Sequence, residues 1–255
     1  EGRIVYPEEK VQKEERGMEK DLRTREAKDT WKALERRQKT EIHLDRIRGC
    51  LLGGAAGDAL GYPVEFHRTE QITARYGTGG IQDYALDAAT GKALISDDTQ
   101  MTLFTANGIL VGQTRAALRG IGGDIASYAA LAYRDWLRTQ RLTWERGREP
   151  GDEPRKTGWS WLLDVPELYA LRAPGNTCLS AISAYAQGDG HGYGTPERPI
   201  NGSKGCGGIM RVAPLAMAYR VGENYHWDQA ALDREGAELA AITHGHPLGW
   251  MPAAA

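Results

Sequence analysis

The feature that most limits this chain's fold is where its charge sits: 12 acidic and 14 basic residues crowd the first 48 positions, out of 66 charged residues in all. Such a segment cannot enter a hydrophobic core. Glu9 and Lys13, Glu19 and Arg23, Asp21 and Arg25, and Glu35 and Lys39 stand acid before base at a spacing of four. That orientation supports an exposed helix by about 0.2–0.5 kcal/mol a pair. Val11, Met18, Leu22, Trp31 and Leu34 are too scattered to cover one face of it. Residues 1–43 read either as a charged helical arm, solvated or laid on a partner, or as a frayed leader without a role, which leaves residues 44–255 to form the globular domain.

From Asp45 the texture reverses. In DRIRGCLLGGAAGDALGYPVEF, Ile47, Leu51 and Gly54 recur at helical spacing, and Asp58 continues the same face, so an acid is aimed inward. Gly53 to Gly57 are small enough for a neighbouring helix to come close, and Pro63 breaks the pattern ahead of Glu65. DIASYAALAYRDWLRTQ and REGAELAAITHGH read as amphipathic helices, and residues 145–175 and 188–208 as long loops. Alternating β-branched runs do not occur, so the expected class is all-α.

A hydrophobic content of 41% suffices for a core. A net charge of −2 gives no overall attraction to nucleic acid or to an anionic membrane. No apolar run approaches the ~20 residues that a bilayer requires. Cys50, Cys178 and Cys206 are widely spaced and form no CxxC pair, against a disulfide framework or a zinc site and in keeping with a reducing cytoplasm.

The octapeptide ISDDTQMT, residues 95–102, admits two readings. Ser96 can cap a helix with Asp97 and Asp98 at its positive end. The same hydroxyl and carboxylates also form a set of hard oxygen donors of the kind that Mg2+, Mn2+ or Ca2+ takes. Met101, Phe104, Gly108 and Val111 share a helical stripe with Asp97, which puts that carboxylate at the buried edge. GAAGDALGYPVEF, GNTCLSAI, KGCGGIMRVAPLAM and ITHGHPLGW are further polar clusters beside small residues. His244 and His246 in the last are read as structural.

Taken in this order, the five clusters resemble the ADP-ribosylglycohydrolase family, over residues 45–255. RGCLLGGAAGDALGYPVEF is similar to its N-terminal signature, SDDTQM to its metal-binding signature, and GCGGIMRVAPL to a loop and helix that follow. The resemblance implies an orthogonal helical bundle around a two-metal centre, Mg2+ or Mn2+, that cleaves the bond between ADP-ribose and a protein side chain. It implies Ser96, Asp97 and Asp98 as metal ligands and Glu65 and Asp97 as the catalytic carboxylates. Asp58, Gly175, Asn176, Gly205, Cys206, Gly207 and Gly208 would lie against the substrate.

The family's remaining metal ligands come from an Asp-x-Asp-Thr-type motif nearer its C-terminus, and none follows Ala255 here. The expectation is a domain lacking its C-terminal part, weak or inactive by itself. Arginine-linked ADP-ribose is the first acceptor to test. The rival reading is an immunity or binding protein that blocks an ADP-ribosyltransferase through residues 1–43, with or without hydrolysis.

Overall fold

The computed structural model describes residues 7–146, 158–188, 192–218 and 228–255, with side chains from Arg25 onward except Ala27. The chain divides into two compact units, Glu1–Gly49 and Cys50–Ala255. Helix α1, Pro7–Gly61, starts in the first and ends in the second.

In the first unit the described side chains are exposed, apart from the half-buried His43 and Ile47. Trp31 is 68% exposed, and Arg37 Nε lies 3.1 Å from Glu41 Oε1 four residues on. A surface pair of this kind adds little to stability. The arm predicted for residues 1–43 is thus helical where it is described.

The second unit is all-α among the described residues, where the only extended pairing is one isolated bridge, Leu86 with Ala93. Its helices are the end of α1, then α2 (Thr69–Tyr76), α3 (Asp97–Arg119), α4 (Ile125–Arg141), α5 (Asn176–Gln187), α6 (Ala213–Ala218), α7 (Gln229–Ala241) and α8 (Pro247–Trp250). Local chemistry sets the ends. Ser96, Asp124 and Asp228 cap α3, α4 and α7 with side-chain oxygens, and Gly120 ends α3 at φ 63°, a left-handed position that glycine takes without strain.

The core is centred on α3 and α4. Met101 and Phe104 from α3, Ala129, Tyr133 and Trp136 from α4, Ile182 from α5 and Leu239 from α7 are each 0–1% exposed. Gly108 lets α3 and α4 touch through their backbones, since a Cβ there would lie 2.8 Å from Tyr128 O and 2.9 Å from Ala129 Cα. Arg211 also lies inside this core. Its guanidinium stacks over Tyr133 at 4.5 Å and donates to Leu239 O (3.2 Å) and Thr243 Oγ1 (2.7 Å).

Three details depart from the sequence reading. The stretch read as a loop over 145–175 contains 3-10 turns at Trp161–Asp164 and Pro166–Leu168. Helix α7 begins at Gln229, ahead of the REGAELAA motif, because Asp228 caps it. Helix α1 runs unbroken from the charged arm to Gly61, so the change of texture at Asp45 is not a break in the helix, whereas the helical face from Ile47 to Asp58 is as read.

Candidate active site

The last turns of α1 and the first turn of α3 meet through one carboxylate. Asp58 Oδ2 accepts hydrogen bonds from Ser96 N (2.8 Å), Thr99 N (3.3 Å) and Thr99 Oγ1. Ser96 Oγ accepts from Asp98 N at 3.1 Å, so the capping role is real. Three of the N–H groups at the start of α3, those of Ser96, Asp98 and Thr99, are thereby taken up by two side chains, one from α3's own cap and one from α1.

Asp97 is 5% exposed, as the stripe of Met101, Phe104 and Gly108 required. Its backbone N–H donates to Arg172 O (2.9 Å), and its Oδ2 accepts from Gly175 N (3.3 Å). The segment wrapped around it holds Ala173 at φ 53°, a left-handed conformation costing a non-glycine residue roughly 1–2 kcal/mol. Strain of this kind gathers where the surroundings fix the backbone.

A cavity of about 620 Å³ opens beside this junction. Asp58, Tyr62, Glu65, Ser96, Asp98 and Thr99 form its polar wall, and Cys50, Cys206 and Met210 are among its other lining residues. Asp97 does not line it. Thr102 Oγ1 ties the α3 side to Met210 O at 3.1 Å.

The carboxylates crowd one another. Burial pushes the Asp97 carboxyl up to about 7, helped by the Asp98 charge and opposed by the Gly175 N–H. Asp98, burdened by desolvation and by Asp58 and Glu65, is pushed up to about 6. Glu65, exposed at the rim, is raised by partial desolvation and by Asp58. A group of acids that resist ionising together is one that a cation would relieve. The oxygen donors of Ser96, Asp97 and Asp98 suit a hard divalent ion. Among the described residues, however, no three His, Cys, Asp or Glu side chains are grouped tightly enough to enclose an ion by themselves. These donors could therefore provide part of a coordination sphere.

The other sequence-predicted residues fall in several places. Cys206 lines the cavity. Gly175 lies against Asp97, and Asn176 is the exposed first residue of α5. Gly205 and Gly207 face His244: a Cβ would lie 3.2 Å from its Nε2 at the former and 2.9 Å from its Cε1 at the latter. Gly208 is buried against Gly249 O and Ala240.

His244 is 2% exposed and belongs to a relay. Arg211 donates to Thr243 Oγ1, which in turn is hydrogen-bonded to His244 Nδ1 at 2.8 Å. The opposite edge of the ring, with Nε2, lies toward Gly205 and Gly207. Burial, and secondarily the Arg211 charge, hold the imidazole down at about 4, so it is neutral. The structural role expected of His244 agrees with this placement. Sequence reasoning missed Thr99, Tyr62 and Cys50 as cavity residues. Thr99 stands one helical turn beyond Ser96 and Tyr62 one turn beyond Asp58, so the 3.6-residue period could have found both.

A family model described as ADP-ribosylglycohydrolase matches residues 39–255. ADP-ribosyl-[dinitrogen reductase] glycohydrolase from Rhodospirillum rubrum is 31% identical over 211 residues, covering 80% of this chain and 53% of that protein. The chain thus spans about half the length of this curated relative. No solved structure matches. The all-α fold, the clustered acids of α1 and α3 and the match over residues 39–255 agree, and the chain belongs to the ADP-ribosylglycohydrolase family.

Proposed function

We propose that the chain carries part or all of a metal-dependent site that hydrolyses the glycosidic bond between ADP-ribose and a modified protein side chain, with arginine as the acceptor. The observation that carries this reading is that Asp58, Glu65 and Asp98 line one and the same cavity, with Asp97 buried beside them and the acids resisting joint ionisation. Ser96, Asp97 and Asp98 would hold Mg2+ or Mn2+, which when bound supplies charge neutralisation and an activated water.

The chain's own residues do the rest. Asp58 holds the α3 terminus in register through Ser96 and Thr99. Glu65, at the rim with a raised carboxyl, is placed to take a proton from water or to support positive charge at the anomeric carbon. Asp97, fixed by Gly175 N, is the second carboxylate for that work. The protein substrate approaches from the open side, where Glu65 and Asp98 are exposed.

Two measurements test this. Mn2+ binding, followed by the loss of its free paramagnetic signal, should disappear in Asp97→Ala/Asp98→Ala while the far-ultraviolet helical signal is retained. ADP-ribose release from an arginine-modified protein, by the chain or by a longer polypeptide containing it, should stop in excess chelator and in that variant. Full release with chelator present defeats the metal assignment, and unfolding of the double variant would make these residues scaffold.

A further inference from the structure

A second cavity, of about 340 Å³, shares no lining residue with the first. Arg134, Arg138 and Arg141 enter it from successive turns of α4, and Leu131, Leu137, Leu142, Ala186 and Trp159 supply its apolar lining. The indole of Trp159 is 42% exposed and carries the Arg115 guanidinium 5.1 Å from its ring centre. Among the described residues the one acid in the lining, Asp135, is 3% exposed, and its Oδ2 is engaged by Trp159 N (2.6 Å) and Ser160 N (2.7 Å). The described lining thus sets the guanidinium groups of α4 beside one carboxylate that is already engaged.

The ordinary explanation is that basic residues complement the negative end of the α4 dipole. It covers Arg138 and Arg141 in the last turn. It does not cover Arg134, nearly two turns earlier, nor Arg115, which comes from α3. Arg134 stacks over Tyr185 at 5.7 Å, and Arg141 donates to Ser183 Oγ, so both side chains are held in place by α5 before any ligand arrives. Planar guanidinium forks suit phosphate oxygens, and an indole with Arg115 over one face suits a flat heterocycle on the other. The volume lies at the small end of ligand pockets, and the concavity favours a small molecule over a protein surface.

We propose that this cavity is a binding site for a nucleoside monophosphate, with the phosphate between Arg134 and Arg141 and the base against Trp159. It goes beyond the hydrolase reading and does not depend on it, because the two cavities are built from different residues.

The test uses the intact chain and AMP. Calorimetric titration with AMP, adenosine and inorganic phosphate is paired with 8-azido-AMP photolabelling and peptide mapping. Labelling on residues 131–142 or Trp159 is expected, with AMP tighter than either fragment. Arg134→Gln/Arg141→Gln, which keeps the stems and a donor for Ser183, should weaken AMP by about tenfold or more at an unchanged melting temperature. Trp159→Leu should weaken AMP and leave inorganic phosphate unaffected. Label confined to peptides holding Asp58 or Asp98, AMP binding unaltered in the glutamine variant, or phosphate binding as tightly as AMP would each overturn the assignment. Because the label is mapped, failure here and failure of the hydrolase reading give different results.

Discussion

His244→Asn should flatten one part of the pH dependence of stability and leave the rest. The ring nitrogen paired with Thr243 is Nδ1, and an asparagine side-chain amide, which can accept or donate, can occupy nearly the same place without titrating. In the native protein burial and Arg211 hold the imidazole at about 4, against 6.5 when it is free. Between those values the unfolded chain carries the proton and the folded chain does not. The stability contributed is therefore complete above pH 6.5 and drains away as pH falls through 4. At 1.36 kcal/mol per pH unit the interval corresponds to about 3 kcal/mol.

Asp97 and Asp98 act in the opposite sense, since their raised carboxyls make the folded state the better proton acceptor between about 7 and the ordinary 3.8. The raw curve is thus a difference, and only the comparison with the variant isolates the histidine. Urea unfolding followed by circular dichroism, in chelator, at half-unit steps from pH 8 to pH 4.5, measures it. At pH 8 the variant should be less stable by about 1–2 kcal/mol from lost packing and an altered hydrogen bond. That gap should close and then reverse as the native protein loses about 2–3 kcal/mol more than the variant on acidification. Parallel curves would show that His244 is not held neutral by its surroundings, and the Arg211 to Thr243 relay would lose its meaning.

Three further outcomes follow from packing and exposure. Gly108→Ala should gain helix propensity yet lose net stability by about 1–2 kcal/mol, because Tyr128 O and Ala129 Cα occupy the space of its Cβ; an unchanged melting temperature would refute the close crossing. Asp135→Asn should cost about 1.5–3 kcal/mol in urea unfolding, since two backbone N–H groups lose a carboxylate acceptor. Cys50 and Cys206 are exposed and Cys178 is 1% exposed, so a chromogenic disulfide reagent should titrate two thiols in the native protein and three in denaturant. A maleimide on either exposed thiol should also obstruct the larger cavity, measured as lost Mn2+ or ADP-ribose binding.

Much of this architecture was legible before any coordinates because it depends on the helical period. The stripe of Met101, Phe104 and Gly108 put Asp97 on the buried side, and the run from Ile47 turned Asp58 inward. Ser96 ahead of two acids announced a helix start. What stayed hidden was tertiary. Nothing in the sequence says that Asp58 is engaged by Ser96 and Thr99, 38 and 41 residues on, or that Asp97 lies beside Gly175. Glycines were ambiguous for a physical reason: a missing Cβ admits a ligand or a neighbouring chain equally well. Gly207 and Gly208 admit His244, Ala240 and Gly249 O. The 3-10 turns after residue 160 are too short to show a period at all.

The Asp58 junction has a kinetic consequence. The bonds that shape the larger cavity and its neighbouring acid join positions 38, 78 and 108 residues apart, through Ser96, through Gly175 and through Met210. Helices α3 and α4 can pair early, since one short turn separates them, whereas these clasps wait for long loops to close. A refolding chain should then recover most of its helical signal in a phase during which it is still blind to cations and to ADP-ribose. Ligand capture by this cavity would serve as a clock for the last step of folding, running behind circular dichroism by the time those closures take.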